Sequence, residues 1–179
     1  MANQALNNNQ LEAMLMPKIR IAVDYVVQKI WNENREIVRQ VVYEAYTPKQ
    51  YERTGEFKEA WDTDTSVSGN KAHGEFRYSP ESLTIGSNGQ HSSIFDGASS
   101  RDYLADIIYQ GLSGAIYEKG YAKDSVRFQD QAWAQKRNAW EVLERKVGVR
   151  KIKQWMKEGF NKAGLNVQSH GMALGINKW

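Results

Sequence analysis

Cysteine is absent from this 179-residue chain, and so is any long apolar run. Without a thiol the chain forms no disulfide, no thiolate nucleophile and no cysteine-based zinc site, which suits a reducing compartment. No apolar run approaches the roughly 18 residues that a membrane-spanning helix requires. The first ten residues also lack the basic and apolar regions of a secretory signal. We therefore expect a soluble protein that is made in the cytosol.

Motifs of phosphate-binding loops and hydrolase nucleophiles are missing as well. Asp62, Asp64 and Ser66 have the spacing that opens a calcium-binding loop. That loop requires glycine at its sixth position and glutamate at its twelfth, where this chain has Val67 and His73. The histidines are far apart and in no metal-binding helix pattern: His73, His91 and His170. The sequence thus predicts no catalytic, cofactor-binding or metal-binding residues, and a protein that is not an enzyme.

Tryptophan and tyrosine, in contrast, are plentiful, with six and nine residues respectively. Such large side chains with one polar edge are enriched in cores and at the centres of protein interfaces. The net charge of +3 is a mild excess, typical of a well-mixed surface. A length of 179 residues fits one domain with appendages and allows a sizeable core.

A long helix is predicted in the first third of the chain. Apolar residues recur at helical spacing over residues 17–46, with Pro17 suited to the first turn and Pro48 following the end. The preceding residues 1–16 start with an Asn-rich polar stretch and are interpreted as an N-terminal arm. Asn34 stands where the pattern expects an apolar residue. It is either a solvated interruption, which we favour, or a polar residue that sets the register of an interface.

Short strands follow the helix. Apolar or β-branched residues alternate with polar ones over residues 61–67 and again over residues 71–78, with turn chemistry around Gly69. A third short run places Leu83 and Ile85 on one face. Three such strands predict an antiparallel meander whose apolar face the long helix covers. The expected fold class is therefore α+β, with further helices in the C-terminal third.

A Gly-, Ser- and Asn-rich segment, residues 86–100, is predicted to be a flexible loop. Its apolar pair, Ile94 and Phe95, either packs back onto the core or anchors the loop in another subunit. Ser99 and Asp102 resemble a capping box, which predicts that the next helix begins there.

The last third of the chain is predicted to be helical and basic. Two apolar stripes are separated by Gly148, and Gly164 has the position of a helix C-cap. The basic residues form either a solvated face, which we favour, or a DNA-facing surface. If this surface binds DNA, the residues expected to face the DNA are Arg150, Lys151, Lys153 and Lys157. These patterns divide the chain into four segments: an arm at 1–16, a helix-plus-sheet core domain at 17–128, a helical extension at 129–164 and a tail at 165–179.

The joint between helix and strands has the sequence Tyr51-Glu52-Arg53-Thr54-Gly55-Glu56-Phe57-Lys58-Glu59-Ala60-Trp61. Gly55 permits a tight turn, and Thr54 is suited to cap a short helix over residues 56–61. Phe57 and Trp61 lie one helical turn apart and form an aromatic pair. The segment is therefore predicted to be a structural elbow made by Thr54, Gly55, Phe57 and Trp61. Tyr51 and Arg53, which precede the turn, are predicted to contact other subunits.

This joint, set between a long helix and a strand meander, resembles the tail-completion or head-to-tail joining proteins of tailed bacteriophages. The shared pattern is Tyr51-x-Arg53-Thr54-Gly55-x-Phe57-x-x-Ala60, in which Phe57 and Ala60 replace a leucine and a serine of that family. The likeness extends over roughly residues 19–120. That family commonly has a Glu-x-Gly-Thr segment after the sheet, which this chain matches only loosely, with Tyr121 in place of threonine. The Pro-Phe pair that often follows in the family is missing from this chain.

The resemblance implies a non-enzymatic structural protein of the virion, a ring-forming neck subunit that joins the head to the tail. The implied protein partners are further copies of the chain and portal, neck or tail proteins. Non-specific contact with phage double-stranded DNA is a further expectation. The interface residues predicted from the resemblance and from composition are Tyr51, Arg53, Ile94, Phe95 and Trp179. The alternative is a small DNA-binding or packaging-associated protein that uses the basic C-terminal helix. A hydrolase would need His73 or His91 to meet carboxylates in a cleft.

Overall fold

The computed structural model describes residues 7–45, 47, 55–83, 104–106, 108–111 and 135–167. It confirms the predicted α+β class, because a long N-terminal helix is followed by a two-stranded antiparallel hairpin and by further helices. The elements are α1 (Asn8–Val38), β1 (Trp61–Ser68), β2 (Lys71–Tyr78), α2 (helical residues 104–106 and 108–111), α3 (Ala139–Lys146) and α4 (Val149–Lys162). Within these ranges no helix is long and apolar enough to cross a membrane.

Helix α1 begins at Asn8 and not at Pro17, where the sequence predicted its start. A reciprocal capping box explains the earlier start. The N–H of Gln10 donates to Oδ1 of Asn7 at 2.8 Å, and the N–H of Asn7 donates to Oε1 of Gln10 at 3.0 Å. Much of the arm predicted at residues 1–16 is therefore helical.

Pro17 lies inside α1 instead of opening it. A proline in a helix interior removes one backbone donor and leaves the carbonyl four residues earlier without its helical partner. That carbonyl belongs to Ala13, and both residues are exposed to solvent. Water can therefore satisfy the free carbonyl, and the helix continues through the proline.

The C-terminal end of α1 widens into a π-helical turn, Arg39–Tyr43, in which the N–H of Glu44 donates to the carbonyl of Arg39 at 3.0 Å. The predicted helix end at Tyr46 lies outside the described residues. Single π-helical turns are uncommon and often occur at functional positions.

Asn34 is fully buried, so the interpretation as a solvated interruption is wrong. It belongs to the same buried stripe of α1 as Ile37 and Val38. Neither of its amide atoms has a hydrogen-bond partner among the residues that the structure describes. A buried amide without a partner costs about 1–3 kcal/mol of stability. Its role in an interface stays a prediction.

The hairpin matches two of the three predicted strands. β1 and β2 are joined at Gly69, whose φ of 56° lies in the left-handed region that favours glycine. After β2 the chain makes a 3₁₀ turn, Pro80–Ser82, and reaches a buried, extended Leu83. Ile85 lies outside the described residues. In the described part of the chain the sheet thus has two strands where the meander predicted three.

The chain forms two compact units, and neither is continuous in sequence. Unit 1 comprises Met1–Trp31, Thr63–Phe76 and Val147–Trp179, and unit 2 comprises Asn32–Asp62 and Arg77–Lys146. Helix α1 and both strands contribute to both units. The four consecutive segments expected from the sequence stay a prediction.

Within unit 1, α1 packs closely against α4 and the hairpin. A Cβ atom added at Gly159 would lie 2.8 Å from the Cα and carbonyl oxygen of Ala22, and one added at Gly74 would lie 2.5 Å from a methyl of Val27. These distances are shorter than any normal contact between carbon atoms. Glycine at both positions is therefore what permits the close approach.

Strand β1 runs beside α1 in a regular register. Nε2 of Gln28 donates to Oγ1 of Thr63 at 2.9 Å, and Oγ1 of Thr65 lies 3.5 Å from Oδ1 of Asp24. Two residues along a strand and four along a helix advance by similar distances, roughly 6.6 Å and 6 Å. The next alternate residue, Val67, therefore continues the row.

Candidate interaction surfaces

Six of the predicted site residues lie outside the described residues: Tyr51, Arg53, Thr54, Ile94, Phe95 and Trp179. Their roles in a subunit interface or in the elbow stay predictions. The described predicted residues belong to the elbow at Gly55 and to the basic face of α4. Two further features, a buried aromatic cluster and an exposed apolar face, come from the structure.

The elbow turns at Gly55, whose φ is 79°. A short 3₁₀ helix, Glu56–Lys58, follows, and β1 begins at Trp61, so the helical segment is shorter than the predicted residues 56–61. The indole Nε1–H of Trp61 donates to the carbonyl of Phe57 at 3.1 Å, and Ala60 between them is fully buried. The left-handed turn and the aromatic pair thus match the predicted elbow.

The aromatic pair belongs to a larger cluster in unit 2. The rings of Phe57 and Trp61 meet edge to face with centroids 6.1 Å apart. Trp61 also stacks on Trp140 of α3 at 5.9 Å and on Tyr109 of α2 at 6.2 Å, and its centroid lies 5.4 Å from that of Tyr78. Such ring contacts contribute about 0.5–1.5 kcal/mol each beyond area burial. The cluster is therefore a core, which explains part of the aromatic content without a partner.

Tyr109 is the polar exception in this cluster. Burial, and secondarily the charge of Tyr78, raises the pKa of the Tyr109 hydroxyl well above its usual value. The hydroxyl oxygen is buried and has no hydrogen-bond partner among the described residues. A phenol with a raised pKa stays protonated and is unsuited to act as a base near neutral pH.

An exposed ion-pair network surrounds the π-helical turn. Arg39 bridges Glu36 and Glu44, and its Nε donates to Oε2 of Glu36 at 2.9 Å. This hydrogen bond lowers the pKa of Glu36 to about 2. One turn earlier, Arg35 pairs with Glu59 beside the elbow. The network thus links the end of α1 to the residues on both sides of it.

The exposed apolar face lies in unit 1. Leu11, Met14 and Ile21 of α1 are 46%, 56% and 50% exposed. Met14, Pro17 and Ile21 recur at intervals of three and four residues and therefore share one face of the helix. Val67 of β1, the last residue of the alternating run predicted over residues 61–67, is 40% exposed beside this face. The periodicity that predicted helix and strand did not show which of these side chains would stay uncovered.

An open groove of about 660 Å³ lies on this apolar face. It is lined by Met16, Pro17, Arg20, Ile21, Asp24 and Val67. The lining thus combines large apolar side chains with one positive and one negative charge. An apolar centre with charged groups at the edge is the usual composition of a protein–protein contact.

Helix α4 presents two different faces. Trp155 and Gly159 are buried, whereas Arg150 and Lys157 are exposed on the opposite side with Lys153 between them. Lys151, which the sequence grouped with these three, instead places its Nζ 4.9 Å from the ring centre of Trp155. The structure therefore brings three of the four predicted DNA-facing residues onto one face.

A set of polar and charged side chains joins α4 to α1 in unit 1. The hydroxyl of Tyr25 donates to Oε2 of Glu158 at 3.1 Å, and Nζ of Lys162 lies 4.3 Å from the Tyr25 ring centre. Gln154 donates to the other carboxylate oxygen of Glu158 at 3.0 Å. Glu158 is therefore held by neutral groups of α1 and α4.

The described residues contain no group of three or more His, Asp or Glu side chains arranged to hold a metal ion. His73 is exposed on β2, and His91 and His170 lie outside the described ranges.

A protein-family model, YomN, matches residues 7–162 and thus most of the chain. The family is phage-associated, of the Bacillus phage SPBc2 type. No curated protein and no solved structure matches the chain significantly.

Proposed function

The chain belongs to the YomN family of phage proteins, and on this basis we propose that it is a structural virion protein, a ring-forming neck or tail-completion subunit that joins head to tail. The proposed role is non-enzymatic, and the proposed partners are further copies of the chain and portal, neck or tail proteins. The observation that carries the proposal is the exposed apolar face of unit 1 formed by Leu11, Met14, Ile21 and Val67.

Burial of this face would stabilise an assembly. Full burial of a large aliphatic side chain contributes about 1.5–3 kcal/mol. Met14 and Ile21 are about half exposed, so covering each of them should contribute roughly half as much. Arg20 and Asp24 at the groove add charges of both signs, which a partner surface can match in only one orientation.

A ring requires a heterologous contact, in which one surface of a subunit binds a different surface of the next. The apolar face supplies one of these surfaces. The predicted interface residues Tyr51, Arg53, Ile94, Phe95 and Trp179 are the proposed candidates for the other. A heterologous contact whose rotation closes on itself gives a ring of one defined mass, which is the assembly proposed here.

The experiment is native mass spectrometry of the purified chain over a range of concentrations, together with binding to head and tail particles. Wild-type protein should form one closed oligomer. Ile21→Glu places a charge in the groove and should weaken assembly at least about tenfold, because a buried unpaired carboxylate is costly. Val149→Glu is the matched control, since Val149 is 49% exposed but does not line the groove. A chain that stays monomeric and binds neither particle contradicts the proposal.

A further inference from the structure

The excess positive charge of the protein is concentrated in one helix. Helix α4 contains five basic residues and one acidic residue, a net charge of +4, whereas the whole chain carries +3. The rest of the chain is therefore close to neutral, with a net charge of −1. A well-mixed surface, the interpretation favoured from the sequence, does not describe α4.

Three of these basic residues form a stripe on the exposed face of α4: Arg150, Lys153 and Lys157. Intervals of three and four residues place them in one row about 10 Å long. None of the three pairs with a carboxylate in the part of the chain that the structure describes. The stripe therefore presents positive charge that is not neutralised by those residues.

The other charges of α4 point elsewhere. Lys151 and Lys162 lie over the rings of Trp155 and Tyr25, and Glu158 accepts hydrogen bonds from Tyr25 and Gln154. The two contacts with Tyr25 join α4 to α1, and the other two lie within α4. The charged residues of α4 that make these contacts are therefore different from the three that face solvent.

We propose that the stripe Arg150, Lys153 and Lys157 binds the phosphate groups of double-stranded DNA without reading its sequence. Lysine and arginine that neutralise phosphates release bound counterions, which drives such binding. The inference does not depend on ring assembly.

Two observations favour DNA over an acidic protein and over a single strand. Lysine is depleted at the cores of protein interfaces, and the other exposed residue between Arg150 and Lys157 is the polar Gln154. Single-strand binding relies on aromatic side chains that stack on bases. The aromatic residue within this segment, Trp155, is buried on the opposite face. Regularly spaced phosphates on a duplex fit the stripe better than either alternative.

The test is fluorescence anisotropy of the full chain with a labelled 30-base-pair duplex between about 50 and 200 mM NaCl. Three phosphate contacts predict a slope of about −2.7 in log affinity against log salt for each bound subunit, a fall of about 40-fold over that range. A variant with Arg150→Gln, Lys153→Gln and Lys157→Gln should bind at least about tenfold more weakly at the lowest salt.

The matched control removes three positive charges elsewhere in the chain, by Lys18→Gln, Lys71→Gln and Arg77→Gln. It should retain most of the affinity. Equal loss in both variants would assign the binding to net charge and overturn the proposal, as would no binding to the duplex at the lowest salt. Tighter binding of labelled polyglutamate would assign the stripe to an acidic protein, and tighter binding of a single-stranded oligonucleotide would exclude the duplex as the preferred ligand.

Discussion

Units 1 and 2 are packed by different kinds of residue. Unit 2 encloses the aromatic cluster around Trp61, and its ion pairs, such as Arg35 with Glu59 and Lys146 with Glu33, join residues distant in sequence. In unit 1 the closest packing is made by small residues, with Gly159 against Ala22.

The units also differ in what they leave exposed. Among the described residues, every large apolar side chain that stays exposed belongs to unit 1: Leu11, Met14, Ile21, Val67 and Val149. The basic stripe of α4 belongs to unit 1 as well. Large apolar patches on a surface commonly mark an interaction site. Among the described residues, unit 2 thus encloses the aromatic core, whereas unit 1 carries the uncovered apolar side chains and the basic stripe.

The largest effect is expected from Gly159→Ala, which tests the packing of unit 1. The new Cβ would lie 2.8 Å from backbone atoms of Ala22, and backbone cannot move aside as a side chain can. We expect a loss of about 1–3 kcal/mol in the free energy of unfolding, measured by urea denaturation.

Gly148→Ala is the control for this substitution. Nothing lies within 4 Å of a Cβ at Gly148, and its φ of −78° suits any residue. Its unfolding free energy should stay within about 0.5 kcal/mol of wild type. If both variants unfold alike, the close approach of α4 to α1 contributes little to the stability of unit 1.

Asn34→Leu should have a smaller effect and the opposite sign. The substitution replaces a buried amide that has no partner among the described residues with an apolar side chain of similar shape. We expect a gain of about 1–2 kcal/mol in unfolding free energy, because the desolvation cost of the amide disappears. Ile37→Val, at a neighbouring buried position, should instead cost about 0.5–1.5 kcal/mol. Destabilisation by Asn34→Leu would mean that the amide has a partner beyond the described residues.

The sequence predicted the type of most elements but not their closest contacts. Periodicity predicted α1, both hairpin strands and the apolar stripe of α4, because each of these elements repeats one geometry over many residues. The start of α1 was missed because its capping box is formed by Asn7 and Gln10, whereas the usual motif begins with Ser or Thr. Gly164 was predicted correctly as a C-cap: its φ is 74°, and the N–H of Leu165 donates to the carbonyl of Phe160 at 2.8 Å.

The candidate surfaces were harder to predict, because exposure depends on what packs against an element. Met14 and Ile21 look like core residues by spacing, and only the arrangement of the described elements leaves them uncovered. Lys151 was grouped with its basic neighbours since its contact with the Trp155 ring cannot be read from charge alone. Gly159 gave no signal of a close approach. In each case the missing information is tertiary, which local patterns do not contain.

The smallest expected effect concerns the ion pairs at the end of α1 in unit 2. The hydrogen bond from Arg39 lowers the pKa of Glu36 from 4.5 to about 2. A carboxyl group whose pKa is lower in the folded state stabilises the fold above its unfolded pKa, and this contribution is lost as the pH falls through the folded value. The stabilisation should therefore be complete above about pH 4.5 and decline towards pH 2.

Glu36→Gln removes this titration, so the acid decline of the urea midpoint should be slightly shallower in the variant than in wild type. The effect is small because Glu36 and Arg39 are exposed and water screens their interaction. Glu75→Gln, which removes an exposed carboxylate of β2, is the charge-matched control and should keep the wild-type decline. Identical pH profiles for wild type and Glu36→Gln would show that the pair of Glu36 with Arg39 does not stabilise the folded state.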